Sequence, residues 1–528
     1  MRKVGTEVLV IGGGSTGAGV ALDATLRGFK TLLVEKGDLT HGTTGRYHGV
    51  LHSGARYVVV DPGSARECIA ENRVLRRIMP QAIEDTGAMY VLLPQDDPAY
   101  AGAWLEGCEA AGVPAEEIAP NEALRAEPLL NPAVERVFRV PAAACDSFDA
   151  VRAMARTIRQ QGGAVWVRHR VEALESEQGR VVGARLVDLT SGEAVLVRAD
   201  LVVNATGPWA GRVAALAGCE VTVNLSKGTM LAYASRLVQT IVHRCAVPGD
   251  GDIVVPVGTV CVIGTTARHI EDPDRYPIEP SEVELLVRRG AELVPHAEQA
   301  RVLRAWAGVR PLYQPGGPDD SRQVTRKHTI IDHARRDGIS RFISVVGGKF
   351  TTYRQMAEET VDLACEKLRS PRPCRTAHTP LIFEEERRTY ALGRRFADLD
   401  GSTEPDELVC ECEIVTRQQI ERALDENPTD VLSDLRRDLR LGMGPCQSAF
   451  CAARATAILY ERRDLPVADA NAALLDLLQA RWKGVRPVAW GHTLRQVALA
   501  QQLYRGVLAA DHLLRSGETE PYPGEETS

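Results

Sequence analysis

EVLVIGGGSTGAGVALDATLRG, residues 7–28, places a short apolar run, a glycine-rich turn and a helix-compatible stretch in immediate succession. Gly12, Gly14 and Gly17 stand in G-x-G-x-x-G register, inside the strand, turn and helix setting that gives this spacing its meaning. Gly12 permits the tight turn, Gly14 lets backbone approach a pyrophosphate, and Gly17 lets helix and strand pack closely. The helix N-terminus then faces the phosphates. Working outward, TLLVE (31–35) reads as a second strand ending in Glu35, at the spacing of about twenty residues that suits a carboxylate on a ribose hydroxyl. The stretch therefore predicts an α/β fold built round a dinucleotide.

Two later stretches decide which dinucleotide. LVVNATGPWA (201–210) runs an apolar strand into a small-residue turn at Thr206 and Gly207, and ISVVGGKFTTYRQMAEETV (343–361) runs a strand through Gly347 and Gly348 into a helix. Taken singly, each is an ordinary strand-to-helix connection. In this order they resemble the two-dinucleotide-binding flavoproteins of the glycine and D-amino-acid oxidase superfamily, a resemblance that implies FAD. The cofactor contacts it implies are Gly12, Gly13, Gly14, Ser15, Thr16 and Gly17, Glu35 with Lys36, Thr206 with Gly207, and Gly347, Gly348 and Thr351.

The C-terminal third carries a second chemistry. Cys410 and Cys412 lie in VCECE, and Cys446 and Cys451 in GPCQSAFC. Two close thiol pairs converging on one site suit an iron–sulfur cluster or zinc. A disulfide reading is weaker, because the first dinucleotide strand begins almost at once and no secretory signal is expected. The C-x-C spacing and the LGMGPC approach (441–446) resemble the bacterioferritin-associated ferredoxin type of 2Fe–2S domain, with four residues between the second pair where two are usual. Zinc is the rival occupant.

TTGRYHGVLHSGARYVV (43–59), KGTM (227–230), IGTT (263–266), AGVRPLY (307–313), TRKHTIID (325–332) and the 343–361 stretch, in that order, are similar to FAD-dependent glycerol-3-phosphate dehydrogenases. The cysteine segment and RWKGVRPVAWG (481–491) narrow the resemblance to the anaerobic, A-subunit type. It implies oxidation of sn-glycerol 3-phosphate to dihydroxyacetone phosphate, with electrons passed through the iron–sulfur centre. It further implies two other components of the assembly, a second flavoprotein and a membrane-bound iron–sulfur subunit, with quinone as the indirect acceptor. The chain would then sit peripherally on the cytoplasmic face of the inner membrane. Arginine suits a phosphate dianion, because its planar fork donates two parallel hydrogen bonds and stays charged. Arg310 and Arg326 match the family's phosphate positions, and Arg56, Tyr57 and Lys349 match positions beside substrate and flavin. The proton acceptor is expected at His52, with His48 in the same segment; a structural role for either histidine stays open. Arg310 or Lys349 would stabilise the reduced, anionic flavin. An amino-acid or 2-hydroxy-acid dehydrogenase of the same superfamily is the alternative, with the cysteine domain acting only as a docking or iron-handling module.

Bulk properties agree. The chain has 528 residues and a net charge of −7, which argues against a general nucleic-acid binder. No apolar run approaches the ~20 residues needed to cross a bilayer. We expect a FAD-dependent oxidoreductase domain at 1–365, with a substrate insert drawing on about 45–95 and 220–335. A proline-interrupted, charged linker follows at 366–405, the 2Fe–2S domain at 406–462, and helices with an acidic tail at 463–528.

Overall fold

The computed structural model describes residues 2–314, 324–383, 392–401, 406–426 and 429–513. Strand Arg2–Ile11 pairs in parallel with Thr31–Val34 on one side and Ala194–Asn204 on the other. Ala164–Trp166 extends this sheet beyond Thr31–Val34, and Phe342–Gly347 joins it beside the end of Ala194–Asn204, both in parallel. Val8, Leu9 and Val10 are wholly buried, as expected for parallel strands covered on both faces. Helix Ser15–Leu26 leaves the first strand and buries all but one of its residues. Small side chains allow that depth: Gly19 lies directly on the ring of Tyr353, in the helix Tyr353–Leu368. Arg27 fastens this layer by pairing with Asp23 and Asp362 and donating to the carbonyl of Arg372. The segment after residue 368 is thereby held against the flavin side.

A second, largely antiparallel sheet has nine strands. Its backbone is the long pair Asn224–Tyr233 with Val302–Leu312, the latter an edge strand paired on one side only among the described residues. The expected insert needs extending: Glu116–Ile118 and Arg136–Val140 also join this sheet. These strands are short and carry charged residues, so neither is conspicuous as an apolar run. Within 45–95, only Ala88–Leu92 enters this sheet; Val50–Leu51 pairs instead with Ala143–Cys145 in a separate three-stranded sheet.

The C-terminal region has its own core around Val409, Leu435, Cys451 and Leu459. A two-stranded hairpin, Leu408–Cys410 with Val415–Thr416, is followed by helices Arg417–Glu426, Leu432–Leu439 and Cys451–Arg463. The stretch expected as a linker contains a helix, Leu392–Asp400, whose Arg395 donates to the carbonyls of Glu413 and Ile414. Helices Val467–Val485 and Gly491–Gln501 return to the second sheet, where Thr493 Oγ1 donates to Val302 O at 2.6 Å. The acidic tail lies outside the described residues. No helix among the described residues is long and apolar enough to cross a membrane.

Candidate active site and cysteine centre

One continuous cavity of about 1150 Å³ runs from the first glycine turn to the arginines of the second sheet. At its dinucleotide end, Gly12 has φ +112°, and a Cβ there would lie 2.6 Å from Ala205 O. A Cβ on Gly17 would overlap Gly12 O. The turn therefore has no space for side chains, and the helix dipole meets the cavity bare. Gly12, Gly14, Ser15, Thr16, Glu35 and Lys36 line the cavity, whereas Gly13 and Gly17 do not. Those two positions serve packing: Gly13 N donates to Glu35 Oε2 at 2.7 Å, and Gly17 closes the turn. Glu35 also accepts from Gly37 N at 2.8 Å; burial raises its pKa while the two amides oppose that. Lys36 lies over the Trp209 ring, 4.2 Å from its centroid. Thr206, braced by a 2.7 Å bond to Asn204 Oδ1, and Gly207 form the opposite wall. Gly347 and Gly348 both adopt left-handed backbone, and a Cβ on Gly347 would meet Lys327 O at 2.7 Å. This fit of bare backbone round a long cavity suits FAD.

The far end of the cavity is cationic. Arg310 donates to Thr265 Oγ1, to Thr266 O at 3.2 Å and to Ser226 Oγ at 3.4 Å. It has no carboxylate partner among the described residues. Burial, then the neighbouring Arg326, pushes its guanidinium down to about 9. Gly228 makes space for it, since a Cβ there would stand 2.5 Å from Arg310 Nη2. Beneath lies a buried brace in which Lys227 pairs with Glu282 at 2.6 Å while Thr229 and Thr266 donate to the same carboxylate. Arg56, in contrast, is paired with Asp252 at 2.9 Å; burial works against its charge, but Asp252 outweighs it and holds the pKa above the ordinary value. Lys349 Nζ donates to Ser64 Oγ and Arg326 O and stands 5.3 Å from the Tyr57 ring centroid. Burial pushes the Tyr57 hydroxyl up to about 12.

His52 is 8% exposed; its backbone N–H donates to Thr351 Oγ1 at 3.0 Å, and its ring packs edge-on against His48 and Tyr57. Burial, then His48 and further cationic groups, holds its pKa well below the ordinary value. His48 is held at about 3 by burial, Arg56 and Arg310. Both rings are therefore neutral near pH 7. His48 Nδ1 accepts from Val50 N at 3.2 Å, so its proton sits on Nε2 and it offers the cavity a donor.

At the cysteine centre, Cys412 Sγ lies 3.9 Å from Cys410 Sγ and 3.6 Å from Cys446 Sγ. Hydrogen bonds from Cys412 and Cys451 pull the Cys410 thiol down to about 3, and Cys412 draws Cys446 to about 7. Gly444 is required, because a Cβ there would meet Cys412 Sγ at 2.6 Å. The extra residues between the second pair are absorbed by left-handed backbone at Gln447 (φ 54°) and Ser448 (φ 74°). A tetrahedral zinc site would hold all four sulfurs about 3.8 Å apart, given Zn–S bonds of about 2.3 Å. Among the described residues, no three of these cysteines have sulfurs all within 4.8 Å of one another. That extended array fits a two-iron cluster.

Fold and site together define a FAD-dependent oxidoreductase with an appended iron–sulfur domain. The family model described as FAD dependent oxidoreductase matches residues 7–354, and the BFD-like [2Fe-2S] binding domain matches 408–461. The chain is 43% identical to the A1 subunit of the anaerobic glycerol-3-phosphate dehydrogenase of Haloferax volcanii, covering 96% of this chain and 92% of the relative. It is 38% identical to the A subunit of the anaerobic glycerol-3-phosphate dehydrogenase of Escherichia coli K12, covering 95% and 96%. Among solved structures, the FAD complex of a glycerol-3-phosphate dehydrogenase from Bacillus halodurans matches with TM-score 0.56 and 21% identity, over 94% of each chain. Glycine oxidase from Geobacillus kaustophilus matches with TM-score 0.57 and 21% identity, over 72% of this chain and 99% of that one. These two likenesses concern the fold. The chain belongs to the family of anaerobic glycerol-3-phosphate dehydrogenase A subunits.

Proposed function

We propose that this cavity oxidises sn-glycerol 3-phosphate to dihydroxyacetone phosphate, and that Arg310 is the residue that selects the phosphate. The observation carrying this reading is a half-buried guanidinium without a carboxylate partner among the described residues, beside Arg326 at the far end of a flavin-sized cavity. A phosphate dianion answers both cations, whereas an amino-acid or hydroxy-acid carboxylate would answer one. FAD, when bound, supplies the hydride acceptor.

The chain's residues perform the rest. Arg310 and Arg326 hold the phosphate and so fix the secondary alcohol. His52, neutral at working pH, takes the hydroxyl proton as the C–H bond releases its hydride pair. Lys349 and Arg56 supply positive potential beside the reacting centre, with Arg56 anchored by Asp252. Cys410, Cys412, Cys446 and Cys451 would hold a 2Fe–2S cluster, whose contribution is single-electron acceptance. Domain limits of 1–365, 366–405, 406–462 and 463–528 serve as the working division.

The relatives are named as one lettered subunit, which supports an assembly with other subunits. The partners we assign are a second flavoprotein and a membrane-bound iron–sulfur subunit, with quinone the final acceptor and membrane attachment through them. Exposed Phe450, between two cysteine ligands, and exposed Trp482, Trp490 and Leu494 nearby in sequence favour a partner at this end. The test is anaerobic flavin bleaching by glycerol 3-phosphate, glycerol and lactate in turn. Bleaching by lactate at a rate equal to that with glycerol 3-phosphate would remove the phosphate reading.

A further inference from the structure

Outside the flavin cavity, arginine crowds the junction of strand Val302–Leu312 with helices Leu432–Leu439 and Val467–Val485. The carboxylates there are already engaged. Arg437 pairs with Asp38 and Asp434, Arg168 with Asp434, Arg152 with Asp438, and Arg440 with Glu413. Arg304, Arg436 and Arg481 are left over, with no carboxylate partner among the described residues. The Nε atoms of all three, and Nη1 of Arg481, are buried without a hydrogen-bond acceptor. Arg481 is 4% exposed. Burial lowers all three guanidinium pKa values; Arg304 adds repulsion at Arg436 and Arg481, and Arg46 adds it at Arg304. A buried charge in that condition is costly unless a negative partner faces it.

The group's neighbours indicate where that partner sits. Arg481 donates to Gln447 Oε1, one residue beyond Cys446, so its guanidinium is held against the cysteine loop. Arg301 donates to Pro445 O at 3.0 Å. The strand that carries Arg304 also meets Arg46, since a Cβ on Gly308 would stand 2.4 Å from Arg46 O, and Arg46 adds repulsion at Arg304 and Arg436. Arg46 closes the turn Thr43–Arg46, and Thr43 and Thr44 of that turn line the flavin cavity. The trio therefore occupies the ground between flavin loop and cysteine loop. A four-thiolate 2Fe–2S centre is anionic and becomes more so on reduction, and nearby charge is among the factors that set its potential.

We propose that Arg304, Arg436 and Arg481 are the built-in counter-charge of the cluster, positioning residues that raise its reduction potential and so favour its receiving electrons from the flavin side. Each reduction adds one electron and no proton, so the added negative charge is answered by fixed cations already in place. This rests on the cluster reading above.

An EPR-monitored redox titration of anaerobically purified full-length protein, without substrate, reads the potential directly. Arg481→Gln is expected to lower it by about a tenfold shift in the one-electron equilibrium, ~59 mV. Arg481→Lys, which keeps the charge, should stay near wild type. Wild-type potential in Arg481→Gln overturns the proposal, and so does a Lys variant shifted as far as the Gln variant. If Arg481→Gln fails to retain its cluster, Arg436→Gln carries the test, because Arg436 makes no hydrogen bond to the cysteine loop. An unchanged potential there is equally fatal, as is stoichiometric phosphate or sulfate bound at the trio in wild type. A wild-type protein with no reducible EPR signal would fail the cluster reading itself, which is a separate and visible result.

Discussion

The flavin cradle and the cysteine centre are both sites for large redox groups, yet they are built in opposite ways. The cradle is made of backbone drawn from residues 12–17, 35–36, 206–207 and 347–351, brought together by a parallel sheet. What it requires of those residues is mostly absence: no Cβ at Gly12, Gly17 or Gly347. The cysteine centre draws its four sulfurs from residues 410–451 and depends on side chains, with a left-handed loop to seat them. A cradle of this kind fails by intrusion, whereas a thiol centre fails by deletion. The two should therefore be separable by mutation.

The largest effect tests that separation. Cys412→Ser removes the sulfur within reach of two others, so the EPR signal should vanish and quinone turnover should fall to background, while anaerobic flavin bleaching by glycerol 3-phosphate persists at near wild-type rate. Loss of bleaching as well would show that the two sites stand or fall together. Gly17→Val is the converse. Its branched side chain meets Gly12 O, an overpacking that costs about 1–3 kcal/mol or more. Flavin content in the purified protein should drop severalfold, with iron content intact by metal analysis.

Next in size is the substrate clamp. Arg310→Met should cost about 1.5–3 kcal/mol of interaction with phosphate, roughly a 10- to 150-fold loss in kcat/KM for glycerol 3-phosphate. The residual activity on glycerol should hardly move, and an equal loss on both substrates would relocate the clamp.

The pH response is smaller, and His48 shows its sign. His48 is neutral in the folded protein down to about 3 but protonates near 6.5 when unfolded. The unfolded chain thus binds the extra proton below pH 6.5, and stability present above that value is lost as pH falls, by about 1.4 kcal/mol per pH unit. Urea unfolding at pH 7 and pH 5 should show this loss, and His48→Gln should reduce it by one proton's share, with His52 supplying another. Glu35→Gln should have the least effect: one of its two amide contacts survives, and flavin affinity should weaken only severalfold by titration of the apoprotein.

The sequence made legible what rests on local spacing. Gly12, Gly14 and Gly17 lie within one turn, and the cysteine pairs lie two and five residues apart, so chemistry could be inferred without knowing the fold. The arginines proposed for the substrate were visible only through resemblance, because nothing local separates Arg310 from any other arginine. Their supports were out of reach altogether. Asp252 meets Arg56 across 196 residues, and Glu282 meets Lys227 across 55. The strands Glu116–Ile118 and Arg136–Val140 were missed for a different reason: pairing with neighbours, not an apolar run, makes them strands. Arg304, Arg436 and Arg481 are conspicuous only as a remainder, once every neighbouring carboxylate has found another partner.

The edge strand Val302–Leu312 carries one consequence for how the chain can be divided. Helices Val467–Val485 and Gly491–Gln501 pack on it, with Thr493 capping the carbonyl of Val302, while Thr43 of the flavin side donates to the carbonyl of Val309. An uncovered edge invites strand-to-strand association with another copy. The C-terminal helices and the flavin loop therefore share the covering of that strand. A chain cut before residue 406 would lose the cysteine centre and, in the same stroke, the cap on Val302, so the trimmed enzyme should self-associate more than the full chain by light scattering.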